Sequence, residues 1–144
     1  MTKDDTIQLL KETNAGVKTA VSSINEIYDK VQSQELKDIL LKYRQDHENI
    51  GDKTHEMLNK YQEEDKEPNP MAKAMSWLKI NVKMTTNSSD HEVASLMMDG
   101  CNMGIKSLCK YQNKYQAAEE DAQKMAQDLV DLEQDFMIHL RPYL

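Results

Sequence analysis

The sequence is poor in the two residues that build tight turns. Its 144 residues hold four glycines and three prolines, well under half the roughly 12% of an average protein. Hairpins and sharp corners depend on those residues, so a many-stranded β fold is nearly excluded. No apolar run approaches the ~18–20 residues that a membrane span requires. The opening Met1-Thr2-Lys3-Asp4-Asp5 is acidic and lacks the layout of a secretion signal. Basic residues are in deficit, 18 against 25 acidic ones, for a net charge of −7. That balance argues against nucleic acid, whose phosphates call for clustered Lys and Arg. Cysteine is scarce: Cys101 and Cys109 stand eight apart, about 12 Å along a helix, and cannot bridge there. Two unbridged thiols suit a reducing, cytoplasmic location.

What is present is helical periodicity. Ile7, Leu10, Asn14, Val17, Val21, Ile24, Tyr28 and Val31 recur at spacings of three and four. A second stripe runs Leu36, Leu40, Tyr43, His47, Ile50, Thr54, Met57 and Tyr61. A third centres on Met98, Asn102, Ile105 and Cys109, with Cys101 and Leu108 beside it. The fourth holds Met125, Leu129, Leu132, Phe136, His139 and Tyr143. Each reads as the inward seam of one helix in a bundle.

The boundaries carry their own chemistry. Ser33 can cap the second helix, with Glu35 in its first turn. Ser89-Asp90-His91-Glu92 has the form of a capping box. Gln116-Ala117-Ala118-Glu119-Glu120 marks a further break. These signals predict helices near 3–31, 34–63, 89–116 and 119–141 in a single domain spanning 1–144. The connection 64–88 contains Glu67-Pro68-Asn69-Pro70 and then a short helical pattern from Met71 to Met84. About 25 residues is too long for a hairpin and long enough to return along the bundle. Helices two and three are then expected to run parallel, and the pairs 1–2 and 3–4 antiparallel.

The two halves also echo each other. Asn14-Ala15-Gly16-Val17-Lys18-Thr19 matches Asn102-Met103-Gly104-Ile105-Lys106-Ser107 at an offset of 88 residues, with three identities and two conservative changes. In helix order, in the long second connection and in these paired segments, the chain resembles the ferritin-like superfamily, and within it small bundle proteins of Gram-positive anaerobes. That resemblance implies an all-α, ferritin-like four-helix bundle with a short crossover helix. It also implies where a di-iron centre would sit: a glutamate on helices one and three, and Glu-x-x-His on helices two and four.

The residues at those places differ. Asn14 and Asn102 occupy the inward positions of helices one and three, and neutral amides bind iron poorly. Three residues before His47 stands Arg44, and three before His139 stands Phe136. Asp52-x-x-His55 has ligand spacing but lies off the main stripe, and Glu12, Asp99, Glu133 and Asp135 are expected on flanking or solvated faces. Asn14 and Asn102 are expected to form a core polar pair that fixes register. Gly16 and Gly104 are expected to allow close helix approach or room for a large neighbour.

The expected function is therefore non-enzymatic: a cytoplasmic structural or protein-interaction bundle with a degenerate metal site and no cofactor. The alternative is a metal-binding or redox bundle that takes iron, manganese or zinc on His47, His139, His55 and Asp52. A homodimer or another protein is the expected partner, with Met71, Met75, Trp77 and Leu78 as the candidate surface. Fourteen residues bearing Lys73, Lys79 and Lys83 argue against membrane attachment.

Overall fold

The computed structural model describes residues 2–65 and 89–144. These form α1 (Thr2–Ile27), α2 (Gln34–Lys60), α3 (Asp90–Lys114) and α4 (Glu120–Leu140), with short 3-10 turns at Tyr28–Lys30 and Arg141–Tyr143. Residues 66–88 lie outside the described part. The expected crossover helix and the candidate partner surface Met71, Met75, Trp77 and Leu78 lie there too.

Helix starts follow the capping chemistry. The Ser33 hydroxyl accepts from the Leu36 amide, and the Ser89 hydroxyl accepts from the Glu92 amide, each at 3.3 Å. Both satisfy one of the donors that a helix N-terminus leaves open. α2 ends with Gln62 in the left-handed region (φ 59°). The Gln62 amide donates to Asn59 O and the Glu63 amide to Leu58 O, the bond pair of a Schellman turn. That turn sends the chain back over α1, where Glu63 pairs with Lys11 and Asp65 with Lys18.

Contacts at the two ends of the bundle fix the helix directions. The Asp90 carboxylate, at the start of α3, accepts from the amides of Gln32 (2.7 Å) and Ser33 (2.8 Å) in the α1–α2 turn. At the opposite end the Glu119 amide donates to the Thr6 hydroxyl at 2.8 Å. The start of α3 thus lies beside the start of α2, and these two helices run parallel. α4 runs parallel to α1, and the pairs α1–α2 and α3–α4 are antiparallel hairpins. α1 packs against all three other helices, and α2 also packs against α4.

The central place of α1 explains its burial. Beyond the expected stripe, Leu9, Glu12, Thr13, Ala15, Gly16, Thr19 and Ile27 are buried as well. Tyr43, Phe136, Ile24, Leu36, Leu40 and Leu140 close one end of the core, and Leu9, Leu10 and Leu58 close the other. Each such aliphatic side chain contributes about 1.5–3 kcal/mol on leaving water.

Two stripes differ from expectation. On α3 the buried positions are Val93, Ala94, Met97, Cys101 and Leu108, whereas Asn102 and Cys109 are exposed. The inward seam is one residue earlier than the pattern through Met98 and Asn102, a rotation of about 100°. On α4 the seam continues Leu129, Glu133, Phe136, Leu140, which leaves His139 exposed. The glycines differ too. A Cβ on Gly104 would meet only Glu133 Cδ, at 3.9 Å, and one on Gly16 would meet Leu129 Cδ2 at 3.4 Å, both ordinary contacts. The tight approach is at Gly51, where a Cβ would lie 3.0 Å from Val17 Cγ1.

Candidate functional site

The centre of the bundle is polar. His47 projects from α2 with 0% exposure, and Glu133 from α4 with 6%. His47 Nδ1 lies 2.5 Å from the carbonyl oxygen of Tyr43, one helical turn earlier. A carbonyl only accepts, so Nδ1 carries a proton and donates it. His47 Nε2 lies 2.6 Å from Glu133 Oε1. Burial opposes the imidazolium, but the hydrogen bond and charge of Glu133 outweigh it and raise the His47 pKa above its ordinary 6.5. Cys101 of α3 adds a third group. Burial, then the negative charge of Glu133, pushes its thiol far up, and the protonated sulfur hydrogen-bonds to Glu133. This thiol is a packed donor, not a nucleophile.

One turn along the α2–α4 seam the same helices meet again at the surface. The Tyr43 hydroxyl donates to Asp135 Oδ2 at 2.5 Å, and its own oxygen lies 2.8 Å from His139 Nδ1. The Tyr43 ring stacks on Phe136 with centroids 4.5 Å apart and planes 8° from parallel. Lys42 Nζ sits 4.4 Å from the ring centroid on Tyr43. Burial and the Asp135 carboxylate both push the Tyr43 hydroxyl well above its usual value.

A second polar region lies between α1 and α2. A groove of about 550 Å³ is lined by Asn14, Lys18, Glu48, Asp52, His55 and Asp65, among others. His55 Nδ1 and Asp65 Oδ1 are 2.9 Å apart, and Lys18 Nζ reaches Asp65 Oδ2 at 3.3 Å. Burial would raise the Asp65 carboxyl, but His55 and Lys18 together hold it below the usual range. Asn14, 2% exposed, donates to Thr54 Oγ1 at 3.0 Å and to Gly51 O at 3.3 Å, and among the described residues its Oδ1 has no partner.

The four candidate ligands therefore fall in three places. His47 is in the core, His139 is on the outside of the seam, and His55 and Asp52 line the groove. Asn14 and Asn102 do not form a core pair, because Asn102 faces solvent. Arg44 does not lean inward; it binds Asn25 Oδ1 at the surface. Among the described residues, no group of three or more His, Cys, Asp or Glu is placed to share a metal ion.

The donor set also argues against the dinuclear centre that the sequence resemblance implies. Both nitrogens of His47 are occupied, one by a carbonyl and one by Glu133. A ring held at both nitrogens by protein partners offers no free nitrogen to iron, manganese or zinc. The described residues do not fit such a centre.

Glu133 is the group that residue type concealed. It stands at the fourth place in the Leu129–Phe136–Leu140 spacing and so lies on the apolar seam, but a carboxylate reads as a solvated face. Glu12 was hidden in the same way. It is buried on α1, where its hydrogen bond and charge act with burial to raise the Tyr111 hydroxyl of α3. No helix among the described residues is long and apolar enough to cross a membrane. Comparison of the chain with protein-family models, with curated proteins and with solved structures finds no match.

Proposed function

We propose that this chain is a non-enzymatic, cytoplasmic, ferritin-like bundle that serves a structural or protein-interaction role. In this reading an ion pair stands at the bundle centre where a di-metal site would otherwise be. One observation carries it: His47 spends both ring nitrogens on protein partners, and its Nε2 partner is a buried carboxylate from the facing helix. The parallel course of α2 and α3 supports the ferritin-like connection. The deep burial and raised pKa of Cys101 argue against a thiol reaction at the same place. A second copy of the chain or another protein is the partner class that remains for such a bundle.

Elemental analysis and native mass spectrometry after expression in iron-supplemented medium test the reading. The expected result is protein without stoichiometric iron, manganese or zinc, and without oxygen-dependent ferroxidase turnover. About two iron atoms per chain, lost on His47→Ala, would overturn it. The same native spectra report whether the chain is a monomer or a dimer.

A further inference from the structure

We infer that His47 and Glu133 form a proton-dependent cross-brace between α2 and α4, closed by a single shared proton and opened when that proton leaves. The inference rests on the metal-free centre proposed above. It starts from counting protons. The Tyr43 carbonyl requires a proton on Nδ1, and an Nε2–Oε1 contact of 2.6 Å requires one more proton between those two atoms. With that proton on Nε2, imidazolium and carboxylate offset each other and the pair is neutral overall. Without it, the Nε2 lone pair faces an anionic oxygen in a site from which both side chains have lost water. With one proton more, a buried imidazolium has no counter-charge. Both alternatives are costly in a dry core.

The surroundings reinforce the one-proton state. α4 supplies Glu133, and α2 itself supplies the Tyr43 carbonyl and the charge of Asp46. α3 supplies the Cys101 thiol, which donates to Glu133 and keeps its proton. α1 supplies the buried Glu12, whose charge acts on Tyr111 of α3. The edge of the Phe136 ring, 6.3 Å from His47 between centroids, helps to close the site to water. The neighbouring Tyr43–Asp135 bond is not opened by the same change, since its hydroxyl also resists losing its proton. The brace is thus a local device of the inner seam.

The sign of the pH effect follows. His47 binds its proton more tightly in the folded chain than in the unfolded one. Its stabilisation is complete below the ordinary value of 6.5. It falls as pH rises from there through the folded pKa, at up to about ten-fold in the unfolding constant per pH unit for one linked proton.

The test pairs ring-nitrogen NMR of His47 in the intact, metal-analysed chain with urea unfolding between pH 6.5 and 8.5. At neutral pH both ring nitrogens of His47 are expected to be protonated. The unfolding constant is expected to rise with pH more steeply in the wild type than in a His47→Gln, Glu133→Gln double variant, which keeps a neutral hydrogen-bonding pair. An unprotonated Nε2 at neutral pH, or equal slopes in the two proteins, would overturn the inference while the metal-free reading stands. Metal in the same sample would overturn both. If the double variant does not fold, the wild-type spectrum alone decides.

Discussion

Among the described residues, His47–Glu133 and His55–Asp65 are histidine–carboxylate pairs with similar separations and opposite surroundings. His47 and Glu133 are 2.6 Å apart with side chains 0% and 8% exposed; His55 and Asp65 are 2.9 Å apart with side chains 54% and 24% exposed. The first joins the facing helices α2 and α4. The second ties the turned-back end of α2 to its own outer face, with Lys18 of α1 as a third member. The difference teaches that distance does not set the worth of an ion pair here; access to water does. Solvent and salt screen the outer pair, and its members can rehydrate if they part. Neither inner partner has that option, so breaking the inner pair leaves a charge stranded.

The largest expected effect comes from stranding it. Glu133→Ala should cost about 3–5 kcal/mol, the range for removing one partner of a buried pair. Replacing both residues with Leu should be far milder, between neutral and about 1–4 kcal/mol stabilising. Urea denaturation of the two variants checks this, and equal losses would show that the inner site is wetter than its geometry implies. Tyr43→Phe comes next. It removes the hydroxyl bond to Asp135 but keeps the stack on Phe136, so about 1 kcal/mol is expected. Its loss belongs between those of the inner and outer pairs, and the same unfolding assay ranks the three.

Breaking the outer pair should cost less. Asp65→Asn is expected to cost under about 1 kcal/mol, with most of the effect gone in high salt. Because His55 and Lys18 lower the Asp65 pKa, its contribution is present above the ordinary 3.8 and fades as pH falls through the folded value. Its limb therefore lies below 3.8 and that of His47 above 6.5. Thermal melts across both ranges, with each variant beside the wild type, separate them. The smallest effect belongs to Asn102. Exposed on α3, its replacement by Ala should change stability by no more than about 0.5 kcal/mol. A loss comparable with that of Tyr43→Phe would return Asn102 to the core.

Much of the frame was legible because helices report themselves by spacing and caps. The stripes of α1 and α2, with Leu10, Asn14, Val17, Leu40, Tyr43 and His47 inward, follow directly from their periodicity. Ser33 and Ser89 mark where α2 and α3 begin, and the length of the second connection foretold their parallel course. The site was only half legible. His47 lay on a clear stripe, but its partner came from a residue type that normally faces water. Glu133 is inward because Leu129, Phe136 and Leu140 are, and it stays there because His47 and Cys101 satisfy it. On α3, small and polar residues occupy both candidate faces, so the apolar pattern is weak. The echo between Asn14 and Asn102 then favoured the wrong one by a single residue. Sequence similarity between two helices does not oblige them to present the same face when one lies at the centre of the bundle and the other at its margin.

The parallel course of α1 and α4 has a practical consequence. The first helix starts where Thr6 meets Glu119, and the last turn ends where Tyr143 reaches Glu35, at the far end. At 1.5 Å per residue over the 26 residues of α1, the two ends stand about 40 Å apart. Copies fused head to tail would extend along the long axis like links in a rod. A donor and an acceptor dye, one at each end, would read that axis as a molecular ruler.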